Sequence, residues 1–262
     1  MEHCRGRTPL VFCGMIGIRN GADDIDREDN NRMKKELLEA FQICDSTFPI
    51  GTFNHSFGME NYLARRVIRK ASQFREWLES YFRSQYRYGE GLLVILCSRA
   101  LDEGREDALL RYDDIINRSV AARETREGSR MIAVQMAALI RKIYGDRFSF
   151  LNRYAERMEE DEYFGSPAIV FSVFAHEKGI DCRDAFELYG YSVASTLVQN
   201  AVRSVPLGQR EGQVILHDVM LLITDLFDRT DGLDEDYLGA NIPGLELAQI
   251  CHETQEARLF MS

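Results

Sequence analysis

The chain has 262 residues, 45% of them apolar and 10% aromatic, enough to bury a sizeable core without disulfides or a structural metal. Its 42 acidic residues outnumber the 32 basic ones, giving a formal charge of -10 and a pI near 5.1. Such a field repels phosphate backbones and anionic membranes, which sets nucleic acid and membrane aside as partners. Six cysteines, at 4, 13, 44, 97, 182 and 251, form no CxxC unit, so the reading is free thiols in a cytoplasmic protein.

Residues 1 to 31 hold Gly6, Gly14, Gly17, Gly21 and an acidic run over 22–29 without any period, which reads as a disordered leader before one domain over 32–262. The mildly apolar stretch Leu10 to Ile18 carries two glycines and no A-x-A cleavage site, unlike a secretory signal. No apolar run reaches membrane-spanning length. From Arg32 helical spacing takes over. Phe74, Trp77, Leu78, Tyr81, Phe82 and Gln85 trace one face behind Ser72 as N-cap; Ile132, Met136, Leu139 and Ile140 trace another.

Ser166-Pro167 predicts an N-cap with proline at the first helical position, and Gly179 falls where that helix should end. Asp181 caps the next segment, whose stripe includes Phe186, Tyr189, Val193, Leu197 and Val198 and which Pro206 and Gly208 terminate. Val214, Ile215, Val219, Leu222, Ile223, Leu226 and Phe227 form the last long stripe. No alternating β-branched run is bounded by hairpin turns. The expectation is an all-α, bundle-like domain of roughly nine to eleven helices.

Candidate chemistry is sparse. Asp45, His55 and Ser56 would make a hydrolase triad only if the hydroxyl met the imidazole, but adjacent helical side chains diverge and no G-x-S-x-G elbow exists. His176-Glu177 and His252-Glu253 lack a second histidine at zincin spacing. Asp113 and Asp114 resemble the aspartate-rich helices of magnesium-dependent diphosphate enzymes, although a second such motif is missing. This supports an alternative reading, an α-helical enzyme acting on an anionic small molecule. No Walker A sequence is present.

Three stretches stand out. Phe48-Pro49-Ile50-Gly51 predicts a type I turn, followed by Ser56 as N-cap of a helix through Lys70, with Gly58 inside it where another backbone comes close. The loop from Arg203 to Gln213 places a cation in a last helical turn and displays Arg203, Gln209 and Arg210. The terminus from His252 to Ser262 ends on an apolar segment with one arginine, which suggests a tail that docks.

Together the stretches F48-P-I-G-T-F-N-H-S-F-G-M-E60, S204-V-P-L-G-Q209 with G212-Q213, and R258-L-F-M-S262 resemble the urease accessory protein family UreF, from about Leu37 to the end of the chain. The resemblance implies an all-helical homodimer without catalytic chemistry. It further implies binding to UreD (also called UreH), the GTPase UreG and apo-urease, with nickel and GTP held by those partners and no cofactor of its own. Partner contact would fall on His55, Ser56, Glu60, Arg203, Pro206, Leu207, Gln209, Gln213, Arg258, Leu259 and Phe260. Several family members carry tyrosine where Phe53 stands, so any bond through that hydroxyl is absent here. The leader matches nothing in the family.

Overall fold

The computed structural model describes residues 35–261, so the expected leader over 1–31 lies outside it. A helical run over 35–44 (α1) precedes ten further α-helices, and no strand occurs among the described residues. The sequence-based helix count is met.

The centre of the bundle is α8 (Pro167–Glu177), whose residues from Pro167 to Ala175 are all buried. A helix apolar on every side has no solvent face to present, so its neighbours must enclose it. They are α4 (Glu90–Asp102), buried from Gly91 to Ser98, then α6 (Arg123–Tyr144), α7 (Ser149–Glu159) and α9 (Cys182–Ser204). Outside these, α10 (Gln209–Thr230) packs along α9, α5 (Glu106–Ser119) along α4, and α3 (Ala71–Tyr81) against α10. The short α2 (Met59–Ala64) and α11 (Pro243–His252) pair at one end.

The sequence signals for α8 and α9 hold. Ser166 occupies the N-cap position before Pro167, although its side chain makes no capping bond, and the Asp181 side chain accepts the Asp184 N–H at 2.8 Å. Ser72 is not a cap: α3 starts one residue earlier, at Ala71, after an extended Lys70 with no capping side chain. Beyond Tyr81 that helix continues as a π-helical turn, Phe82–Tyr86, which no propensity signal announces.

Asp113 shows what the paired acids do. It is buried and accepts from Tyr154 Oη at 3.0 Å, Asn117 Nδ2 at 3.1 Å and the Gly165 N–H at 3.2 Å, fixing the α7–α8 loop on α5. Gly165 has φ +93°, and a Cβ there would lie 2.5 Å from Met158 Sδ, so only glycine brings this N–H to the carboxylate. Asp114, one residue on, points elsewhere and pairs with Arg118 at 2.5 Å. The two acids therefore do not form a magnesium grip.

Burial pushes the Asp113 carboxyl above its usual 3.8, against the lowering bonds from Gly165 and Tyr154. A raised acid stabilises most below its ordinary value and loses that contribution as pH climbs through the shifted one. Asp113→Ala, which strands three donors, should cost about 2–4 kcal/mol in urea unfolding. Asp113→Asn should cost less, and its deficit should shrink as pH rises from acid to neutral because the substituted side chain no longer titrates.

Candidate partner-binding site

The opening turn is tighter than expected. The Ile50 N–H bonds the Phe48 carbonyl at 2.8 Å, closing a three-residue turn on Pro49 in place of a type I turn. A 3-10 turn, Thr52–Asn54, follows. The helix then begins at Met59 and ends at Ala64, so Ser56 is not its N-cap and Gly58 is not inside it. Gly58 precedes the helix at φ +93°, and a Cβ there would meet Gln249 Cγ at 2.9 Å and Leu245 Cδ1 at 3.1 Å. The close approach foreseen for this glycine is thus to α11.

His55, Ser56 and Glu60 all point inward. The His55 carbonyl accepts Asn200 Nδ2 from α9 at 2.9 Å, and burial holds its imidazole below the usual histidine range. Ser56 Oγ accepts the Glu60 N–H at 3.4 Å, and Asp45 caps the Thr47 N–H at 2.7 Å. Each member of the supposed triad is occupied separately.

Glu60 is the junction. Only 7% exposed, its carboxylate accepts the Leu259 N–H and, at 3.0 Å, the Phe260 N–H, and contacts His252 Nε2 at 2.9 Å. The tail is secured on both sides of this point. The Met261 N–H bonds the Asn54 carbonyl at 2.6 Å, and Arg258 Nη1 reaches both oxygens of Glu124 on α6 at 2.9 Å. His252 Nδ1 lies 3.5 Å from the same Glu124. Burial raises the Glu124 carboxyl, but the bonds and charge of Arg258 and then His252 outweigh it and leave it below its usual 4.5.

The third stretch joins here too. The Arg203 guanidinium sits 5.5 Å from the buried Phe260 ring. After α9 the Leu207 N–H bonds the Val205 carbonyl at 2.7 Å, a second three-residue turn that turns Pro206 outward and Leu207 inward before α10 starts at Gln209. Of the residues expected to meet partners, Arg203, Pro206, Gln209, Gln213, Arg258 and Leu259 are exposed; His55, Ser56, Glu60, Leu207 and Phe260 are buried and hold the surface in shape. The Phe53 side chain lies outside what is described. Sequence reasoning missed Glu124 and Asn200, since a first-turn glutamate and a mid-helix asparagine carry no signal of contacts made 134 and 145 residues away.

Glu60→Ala should remove the acceptor for two backbone amides and cost about 2–3 kcal/mol. Hydrogen exchange at Leu259 and Phe260 should accelerate at least about tenfold while α8 amides stay protected. Because Glu124 is lowered, the Arg258 contact is fully present above pH 4.5 and fades as pH falls through the shifted value, so the same two amides should lose protection on acidification first.

Comparison with known proteins places the chain in a family. The UreF family model matches residues 68–220, more than half of the chain. Urease accessory protein UreF of Streptococcus salivarius is 48% identical over 228 residues, covering 87% of this chain and 95% of the relative. Those of Bacillus sp. strain TB-90 and Ureaplasma urealyticum are each 38% identical, over 226 and 231 residues, and the matches span 99% and 96% of those proteins. With its all-helical bundle and three converging stretches, the chain belongs to the UreF family of urease accessory proteins.

Proposed function

We propose that this chain is a non-catalytic scaffold of urease maturation, acting in the cytoplasm as a homodimer. It binds a UreD (UreH)-type protein and a UreG-type GTPase, and it couples the nucleotide state of that GTPase to nickel insertion into apo-urease. The observation that carries the proposal is the convergence of the turn, the loop and the tail into one surface, rigidly backed by Glu60, on which Arg203, Arg258 and Leu259 are displayed. A surface built from an arginine pair around apolar groups suits protein recognition.

Nickel and GTP are assigned to the partners. Among the described residues no three His, Cys, Asp or Glu side chains gather where they could hold a metal. Among the described residues no helix is long and apolar enough to cross a membrane. The enzyme reading finds no support, because Asp113 is consumed by interior bonds and Asp114 by Arg118.

Size exclusion of the chain with its cognate UreD-type and UreG-type proteins, in GTP and nickel, should give one co-eluting complex; separate elution of all three would end the proposal. Removing residues 258–262 should leave a cooperative thermal transition but weaken capture of the GTPase by about tenfold or more. Unchanged capture with a lower Tm would instead assign the tail to internal packing alone.

A further inference from the structure

Between Glu60 and Glu76 the chain carries five cations and no acid, in a protein whose acidic residues outnumber its basic ones. Four of the five, Arg65, Arg66, Arg69 and Lys70, fall in the link from α2 to α3, and all four are exposed. The fifth, Arg75, pairs with Asp218 on α10, as Arg99 does with Asp231 and Arg111 with Glu235. Among the described residues no carboxylate pairs with any of the four in the link, and the one side-chain partner they find is Cys251 Sγ, 3.3 Å from Arg65 Nη2.

The fold explains Arg65, which follows the last residue of α2, where a cation suits the helix dipole. It does not explain the others. The Arg66 N–H bonds the Leu63 carbonyl and the Val67 N–H the Tyr62 carbonyl, each at 2.9 Å, the helix-ending pattern whose left-handed residue is usually glycine. Here that residue is Arg66, at φ +59°. Lys70 is the N-cap of α3, a position where serine or aspartate would supply an acceptor, and it makes no capping bond. Arg69 and Lys70 both lie at the positive end of that helix, which has no acid in its first turn. The backbone is nonetheless held: Gln73 Oε1 accepts the Arg69 N–H at 3.0 Å, and Ile68 is buried while Val67 beside it is 53% exposed. Three cations thus stand where local physics disfavours them, on a fixed piece of chain around an apolar side chain. Departures of this kind from local preference concentrate where a surface serves something other than stability.

We propose that the link over 65–70 is a docking surface for an acidic segment of a partner protein, an apolar side chain of that segment meeting Val67. Guanidinium groups take carboxylates through paired, charge-assisted hydrogen bonds. The formal charge of -10 repels a long polyanion, which must span much of the molecule. A short acidic segment within about 8 Å of the link is screened from the distant carboxylates and meets the four cations first. The link lies at the opposite end of α2 from Glu60, so this surface does not depend on the one formed by the tail.

Fluorescence anisotropy of a short labelled peptide of glutamates around a central leucine, titrated with the full chain at low ionic strength, tests this. Arg66→Gly/Lys70→Ser should weaken peptide binding by about tenfold or more. The same variant should raise Tm by about 2–5 °C, because glycine relieves the left-handed position and serine caps α3. Lys142→Gln/Arg147→Gln removes the same charge from exposed cations outside the link and should leave binding unchanged. The proposal is overturned if the peptide does not bind, if its affinity survives the first variant or falls equally in the second, or if an oligouridylate of the same length binds more tightly. A first variant that melts below the parent chain would assign the cations to the fold and overturn it as well.

Discussion

A single carboxylate organises the end of the bundle where α2 and α11 pair. Glu60 sits where α2, α11 and the segment over 258–261 meet, and its carboxylate is met by two backbone N–H groups and an imidazole. An isolated buried carboxylate would cost several kcal/mol, so the arrangement stands only when all these donors arrive together. The apolar contacts around it then follow: Phe260 is buried beneath Arg203, and the exposed Leu259 and Arg258 take fixed positions at the surface. This surface is thus held in place from beneath by a buried acidic side chain.

Asp113 applies the same solution at another junction. There too a buried carboxylate reaches backbone N–H groups, here that of a loop whose glycine has positive φ and where a Cβ would drive the loop off its support. Such loops bury little apolar surface, so helix packing alone leaves their conformation open. Placing an acceptor inside fixes the path of the backbone by hydrogen bonding, at the cost of desolvating one charge. The apolar core formed by α4 and α8 holds the helices, and the two acids hold what joins them.

The helices were legible because their signals are local. Ser166-Pro167, Asp181 and the stripes of α3, α9 and α10 act within a turn or two, and the structure follows them. The errors lie where tertiary contact overrides local preference. Ser56 has the chemistry of a cap, yet its hydroxyl is buried a turn ahead of a helix whose start is set by Gly58 and its contact with α11. Ser72 lost its role to a helix that already begins at Ala71. The three stretches were visible as compositional oddities, and their association with one family was readable from the residues, but their meeting point was not. Glu60, Glu124 and Asn200 look like ordinary helical residues, and only the folded path brings them to the turn and the tail.

The bond between the Met261 N–H and the Asn54 carbonyl, with its neighbours at Glu60, joins residues some two hundred positions apart. Contacts of such separation close late, since a long loop must be gathered before they give any return. The Glu60 carboxylate thus stays without these donors until the helices that frame it have docked, which makes this end of the bundle a late-forming part of the fold.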